Sequence, residues 1–274
     1  MNRTAIQNGI DRLYHYGKFD PTYLTTTLTE SKVYCSDPAS LNDPWDCRPS
    51  FAEHSLDEPS VLEDFIRWIF SFTPTRAVTE AELLATQAEM RRNPKYRRGI
   101  LERFTQDFWK MIPNRWRIYC LTPIPTSTLM WSHYADNHRG ICLELETGSR
   151  LGDPINPLYG AQEVDYLADY PEWAPHSLSD LGSKALLIKS DEWEYEHEYR
   201  IIALAEDVQR PAYAAPMTLK GAFLSLPRGV IKSVIVGCEA DYEVVAATIR
   251  RADSAMRIRR AVRSPTQYRL QIVD

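Results

Sequence analysis

Glycine is scarce in this sequence, and where it falls matters as much as how rare it is. There are 11 glycines in 274 residues, and none fall as GxGxxG or GxxxxGK. A dinucleotide-binding turn and a phosphate loop are therefore both missing. Cysteine is scarce too: Cys35, Cys47, Cys120, Cys142 and Cys238 are odd in number, widely spaced and form no CxxC. That pattern argues against a disulfide framework and against a structural zinc site. Cys35, Cys120 and Cys142 sit in apolar runs that read as strands, where a small buried hydrophobe is expected. No apolar stretch is long enough to cross a bilayer. The opening MNRTAIQNGIDRLYHYG has no apolar signal core, so a cytoplasmic protein with no membrane partner is expected. Excess positive charge is lacking as well. Lys and Arg number 32 against 37 Asp and Glu, a net charge of -5. A dedicated nucleic-acid binder is normally basic, which disfavours that class while allowing a local basic patch.

What remains is an ordinary globular balance, 44% hydrophobic and 25% charged. The length suits one large domain, or a core domain carrying an insertion. LYHY (13–16) and VYCS (33–36) read as strands flanking a helix, with Asp20 as N-cap and Pro21 at the first helical position. The Pro, Asp and Asn density of DPASLNDPWDCRPSF then demands turns. Residues 58–112 turn helical: VLEDFIRWIFSF is amphipathic, and Thr79 and Glu82 have capping-box spacing. Tyr96, Ile100, Phe104, Phe108 and Ile112 recur every four residues and define one helical face. Beyond Arg117, RIYCLT, GICLELE, EVDYL, EYRIIALA and AFLSL read as strands. VIKSVIVG, ADYEVVAATIRRADS and QYRLQIV close the chain as strand, helix and strand. The expected fold is α+β in a single domain, 1–274. It has a mainly antiparallel mixed sheet, a helical insertion at about 58–112 and a C-terminal strand–helix–strand unit.

Several stretches concentrate chemistry. MWSHYADNHRGICLELE (130–146) puts Ser132, His133, Asp136, His138 and Arg139 in a short window beside a strand. A functional role for this loop competes with simple capping of the strand. His133 and His138 are five apart and do not share a helical face, so a zinc pair is disfavoured. Asp37, Asn42, Asp43 and Asp46 could offer oxygens to a hard cation. The stronger reading is that they fix the turn through side-chain to backbone hydrogen bonds. The basic runs 91–98 and 250–263 could grip phosphates; as helix faces of an acidic protein they read better as solvated surface. WEYEHEYRII (193–202), taken as a strand, sets Glu194, Glu196, Glu198 and Arg200 on one face and Trp193, Tyr195, His197 and Tyr199 on the other.

The order LYHY, SDPASLNDPWDC, LMWSHYADNHRGICLELE, WEYEHEYRII and IKSVIVG resembles the bacterial family catalogued as domain of unknown function 2971, from about Leu13 to Gly237. Such families often occur near mobile elements and defence genes, which implies a context rather than a reaction. A second resemblance is to ADP-ribosyltransferases of the histidine–tyrosine–glutamate type. His15 lies on the first strand, Tyr34 and Ser36 on the second, and Glu196-His197-Glu198 leads into a late strand. This resemblance implies NAD as substrate. His15 would hold the adenine-side ribose or the carboxamide end of NAD. Tyr34, or Ser36 in its place, would sit near the nicotinamide, and Glu198 would bond the nicotinamide ribose. Tyr134 and Arg200 join as NAD-binding candidates, and Glu196 and His133 join Glu198 as catalytic candidates.

Three readings follow. The first is an enzyme moving ADP-ribose onto a macromolecule, protein or nucleic acid, as a toxin or anti-phage effector. The second is a hydrolase or nuclease using Asp37, Asp43 and Asp46 with His133 or His138 around a divalent ion. The third is a non-catalytic binding or sensor module lined by the abundant aromatics, 7 Trp and 15 Tyr. No structural metal is expected. In WEYEHEYRII, Glu198 is expected to face a cleft with Glu196 as its partner, and Glu194 to be only solvated.

Overall fold

The computed structural model describes residues 3–71, 79–148, 156–175, 184–205 and 219–274. In chain order, β1 (Arg12–Gly17), α1 (Pro21–Glu30) and β2 (Lys32–Tyr34) come first, then β3 (Ser50–Phe51). Helices α2 (Pro59–Ser71), α3 (Glu80–Arg92) and α4 (Pro94–Arg115) follow. The centre holds β4 (Trp116–Leu121), α5 (Thr128–Tyr134), β5 (Ile141–Glu146), β6 (Gln162–Glu163), β7 (Asp165–Leu167), β8 (Glu172–Trp173) and β9 (Ile188–Ser190). The last third holds β10 (Tyr199–Leu204), β11 (Leu219–Lys220), β12 (Phe223–Ser225), β13 (Ile231–Val236), α6 (Tyr242–Ala252), β14 (Arg257–Arg263) and β15 (Leu270–Val273). The class is α+β, as expected. Among the described residues no helix is long and apolar enough to cross a membrane.

The chain divides into two compact units. Met1–Asp37, Trp116–Asp165 and Glu192–Asp274 form the first, and Pro38–Arg115 with Tyr166–Asp191 the second. The first unit carries a five-stranded sheet in the order β1-β5-β13-β14-β15 and two three-stranded sheets, β4-β10-β6 and β11-β12-β2. Its pairings are antiparallel except β13 with β14, which run parallel. A parallel pair needs a crossover, and α6 supplies it. Its apolar stripe, Val245, Ala246 and Ile249, is buried. The strand after α6 is therefore RIRRAVR, and QYRLQIV adds a further antiparallel strand beside it. Arg257–Arg263 is thus not a helix face, because Ile258 and Ala261 alternate between two buried clusters as a strand requires.

Local signals act as their chemistry dictates. Asp20 caps α1 by accepting from the amides of Thr22 and Tyr23 at 2.8 Å, with Pro21 at the first turn. The larger core lies between the sheets and α1 and α6, which pack together; Leu13, Leu24, Val33, Tyr119, Leu143 and Ile201 are each at most 2% exposed. A smaller cluster of Tyr14, Tyr16, Met130, Trp131 and Cys142 lies on the other face of β1 and β5.

In the second unit Thr79 and Glu82 form the expected capping box at α3. The buried face of α4 is Leu101, Phe104, Phe108 and Ile112. Tyr96, which the four-residue spacing includes, is 40% exposed. Four-residue steps drift around a helix of 3.6 residues per turn, so the stripe moves to Leu101 at its start. Phe104 meets Phe51, Phe65 and Trp68 edge-on at 4.7–5.0 Å. The basic run 91–98 is an ion-paired surface here, with Arg97 on Asp57 and Glu53 and Arg98 on Glu53. Asp43 fixes the Asn-Asp-Pro turn as its sequence suggests: its Oδ1 accepts from the Trp45 amide at 2.9 Å.

Candidate functional site

Alternation along β1 sends Leu13 and His15 to one face and Tyr14 and Tyr16 to the other. His15 stacks on Tyr119 of β4, with centroids 4.3 Å apart and planes at 27°. Its Nδ1 lies 2.8 Å from the Cys120 carbonyl. A carbonyl only accepts, so Nδ1 carries the hydrogen and Nε2 keeps the lone pair of the neutral ring. Burial pushes this imidazole below the usual histidine range, the carbonyl contact opposing it only in part.

The second component is α5, capped by Ser127, whose Oγ accepts from the Met130 amide. Trp131 anchors it: the ring is fully buried, meets Tyr16 edge-on at 5.1 Å and donates Nε1–H to the Pro125 carbonyl at 2.9 Å. With that turn fixed, Tyr134 at the helix end donates its hydroxyl to Glu196 Oε1 at 2.5 Å. Asp136, Asn137 and His138 then take left-handed φ of 48°, 52° and 67°, and the chain reverses into β5. Gly140 and Gly237 close this reversal. A Cβ on Gly140 would stand 2.2 Å from the Gly17 carbonyl oxygen, and one on Gly237 2.1 Å from that of His138.

The third component is WEYEHEYRII, and here the strand reading needs correction. Asp191–Glu196 is a 3₁₀ helix, and β10 begins only at Tyr199. The His197 amide donates to the Glu194 carbonyl at 3.0 Å, and His197 then adopts φ of 45°, ending the turn. Alternating polarity is not unique to strands. In a three-residue turn Trp193 and Glu196 share one side, so the period-two pattern mispaired the segment. The glutamates consequently differ. Glu194 is exposed, whereas Glu196 and Glu198 are 2% and 3% exposed. Arg200, fully buried, donates Nε and Nη2 to the two oxygens of Glu198, each at 2.8 Å. This is the bidentate fork that a guanidinium and a carboxylate make best.

Tyr134 bonds Glu196 and lies in the field of Glu198. Its phenol is pushed well above the ordinary tyrosine value, first by burial, then by the negative fields of Glu196 and Glu198. His133, one residue earlier, is exposed; its ring lies 6.4 Å from those of Trp193 and Tyr195 and 6.3 Å from Tyr134.

The structure thus brings together His133, Tyr134, Glu196, Glu198 and Arg200. His15 has no hydrogen bond or ring contact to these groups among the described residues; its ring bonds the carbonyl of Cys120, the register partner of Arg200, and stacks on Tyr119. Tyr34 is 44% exposed and rests edge-on against Phe223 at 5.7 Å. It has no hydrogen bond or ring contact to His15, Tyr134 or the two glutamates among the described residues. Ser36 uses its backbone to bridge to Ile118 of β4. His138 faces Glu239 and Arg263 and keeps a buried Nδ1 without a partner. Among the described residues, no group of three or more His, Cys, Asp or Glu side chains stands where it could hold a metal ion. Trp193 and Tyr195 lie beside His133 yet carried no signal in the sequence, because alternation placed them simply on an apolar face.

No curated protein and no solved structure matches this chain. The model of the family described as "Protein of unknown function (DUF2971)" matches residues 130–201, so the match is narrower than the Leu13–Gly237 expected and leaves LYHY, SDPASLNDPWDC and IKSVIVG outside it. It runs from within α5 to Ile201, the third residue of β10, the stretch that supplies both carboxylates and their tyrosine and arginine partners.

Proposed function

We propose that this protein is an ADP-ribosyltransferase-like enzyme that uses NAD as substrate and a macromolecule, protein or nucleic acid, as acceptor. The observation that carries the reading is the pair Glu196 and Glu198, both buried and each oriented by a different donor, Tyr134 and Arg200. In the reaction the bond between C1′ of the ribose and the nicotinamide nitrogen breaks, and nicotinamide leaves with the electron pair. The transition state is oxocarbenium-like, as in glycoside hydrolysis. A carboxylate already held in place stabilises that charge without reorganising. Glu198 takes this role, with Arg200 fixing its plane. The acceptor's lone pair then bonds C1′, and its proton passes to Glu196 as general base. His15, neutral and offering Nε2 as an acceptor, suits a ribose hydroxyl or carboxamide donor of NAD.

The test is incubation with NAD labelled in the adenylate part and a cell lysate, following nicotinamide release and label transfer. Glu198→Gln should lower both by about 10²–10³-fold, and Glu196→Gln should lower transfer by about 10²–10⁴-fold. Nicotinamide release absent from the wild-type protein, or equal in Glu198→Gln, refutes the reading.

A further inference from the structure

The turn CSDPASLNDPWDC has no part in that reaction, yet in the second unit it builds one wall of a cavity of ≈ 400 Å³. That is near the small end of the roughly 300–1,000 Å³ found for ligand pockets. The facing wall is α4. Gln106, Trp109, Lys110 and Pro113 stand at i, i+3, i+4 and i+7, one side of the helix beside its core face.

Two features mark this as a built site. Trp109 is 37% exposed on a helix that had buried positions to offer, and its ring is pinned by Nε1–H to the Pro49 carbonyl at 2.9 Å. Across from it Cys47 holds φ of 58°, a left-handed conformation that a non-glycine residue rarely adopts. Its thiol donates to Asp46 Oδ1 at 3.3 Å. The charges are uneven. Lys110 is answered by Asp107 at 3.1 Å. The exposed Arg48 guanidinium has no hydrogen bond or ion pair among the described residues.

We propose that this cavity binds a small aromatic anion, a planar ring bearing one carboxylate or phosphate, with the ring against Trp109 and the anionic group on Arg48. An indole face is a stacking surface and a guanidinium pairs bidentately with either anion.

Calorimetric titration of the full chain with two anions, AMP and indole-3-acetate, and with their neutral counterparts adenosine and indole-3-acetamide tests this. At least one anion should bind below about 1 mM and about tenfold more tightly than its counterpart. Which anion does so separates the phosphate from the carboxylate class. Arg48→Ala and Ala39→Phe, both at exposed positions, should each weaken that binding about tenfold or more, the second by filling the cavity mouth. Glu198→Gln should leave it unchanged, which separates this site from the one proposed for NAD. Equal affinity for anion and neutral counterpart overturns the proposal, and so does binding that neither Arg48→Ala nor Ala39→Phe alters.

Discussion

Replacing Arg200 by methionine tests the site's central contact and its magnitude. Arg200 is 0% exposed and Glu198 3%, and two bonds of 2.8 Å join them. Removing the guanidinium leaves a buried carboxylate without its cation, a change that costs about 3–5 kcal/mol. Arg200→Lys keeps the charge but cannot span both oxygens, so a loss nearer the roughly 1.5–3 kcal/mol of one charge-assisted bond is expected. The double variant Glu198→Met with Arg200→Met removes both charges and should cost less than the two single changes added, by about 1–3 kcal/mol. Urea unfolding at neutral pH, followed by tryptophan fluorescence, measures the wild type, the three single variants and the double variant. A loss below about 1 kcal/mol for Arg200→Met would mean the pair is not buried in solution. Strict additivity of the single changes would mean it is not formed.

Tyr134→Phe removes a donor to a buried carboxylate and should cost about 1.5–3 kcal/mol; in a cycle with Glu196→Gln the two changes should couple. Tyr134 has a raised folded-state pKa, so its contribution is whole below the ordinary phenol value of about 10 and falls as pH rises above it. Tyr134→Phe should therefore flatten the alkaline limb of stability against pH. His15 has a depressed folded-state pKa, so its contribution is present above about 6.5 and is lost as pH falls. His15→Gln should reduce the stability difference between neutral and mildly acid solution, and an unchanged difference counts against a buried neutral ring. Gly237→Ala would set a Cβ 2.1 Å from a backbone oxygen and should lower the melting temperature far more than Gly160→Ala, where nothing lies within 4 Å. His197→Gly should leave stability equal or higher, because a left-handed φ suits glycine; His197→Val should lower it and uncouple Tyr134 from Glu196 in the cycle above.

Elements whose signals are local were legible in the residues. Asp20-Pro21 and Thr79-Glu82 name helix starts because capping is a contact within three residues. RIYCLT, GICLELE and VIKSVIVG read as strands because they are apolar, β-branched and bounded by turns. What could not be read was partnership. Nothing in MWSHY says that its tyrosine meets Glu196, a contact 62 positions away. RIRRAVR hid as a helix face because its arginines outweigh Ile258 and Val262 in any average, although alternation was already there. Glu194 is the solvated member of its row, as expected, but the three glutamates do not share a strand face, because Asp191–Glu196 is a 3₁₀ helix.

The step from alternation to a 3₁₀ turn changes what the two glutamates can do. On an extended strand Glu196 and Glu198 would stand side by side on one face and meet one environment. With His197 in the left-handed region the chain turns between them, and each is delivered to its own donor. Glu198 meets a permanent cation, and Glu196 meets a neutral phenol that keeps its proton. In the proposed reaction, a difference in donors of this kind is how one site would obtain a fixed charge and a proton acceptor from the same residue type. The left-handed residue between them is thus the position on which the proposed division of labour depends.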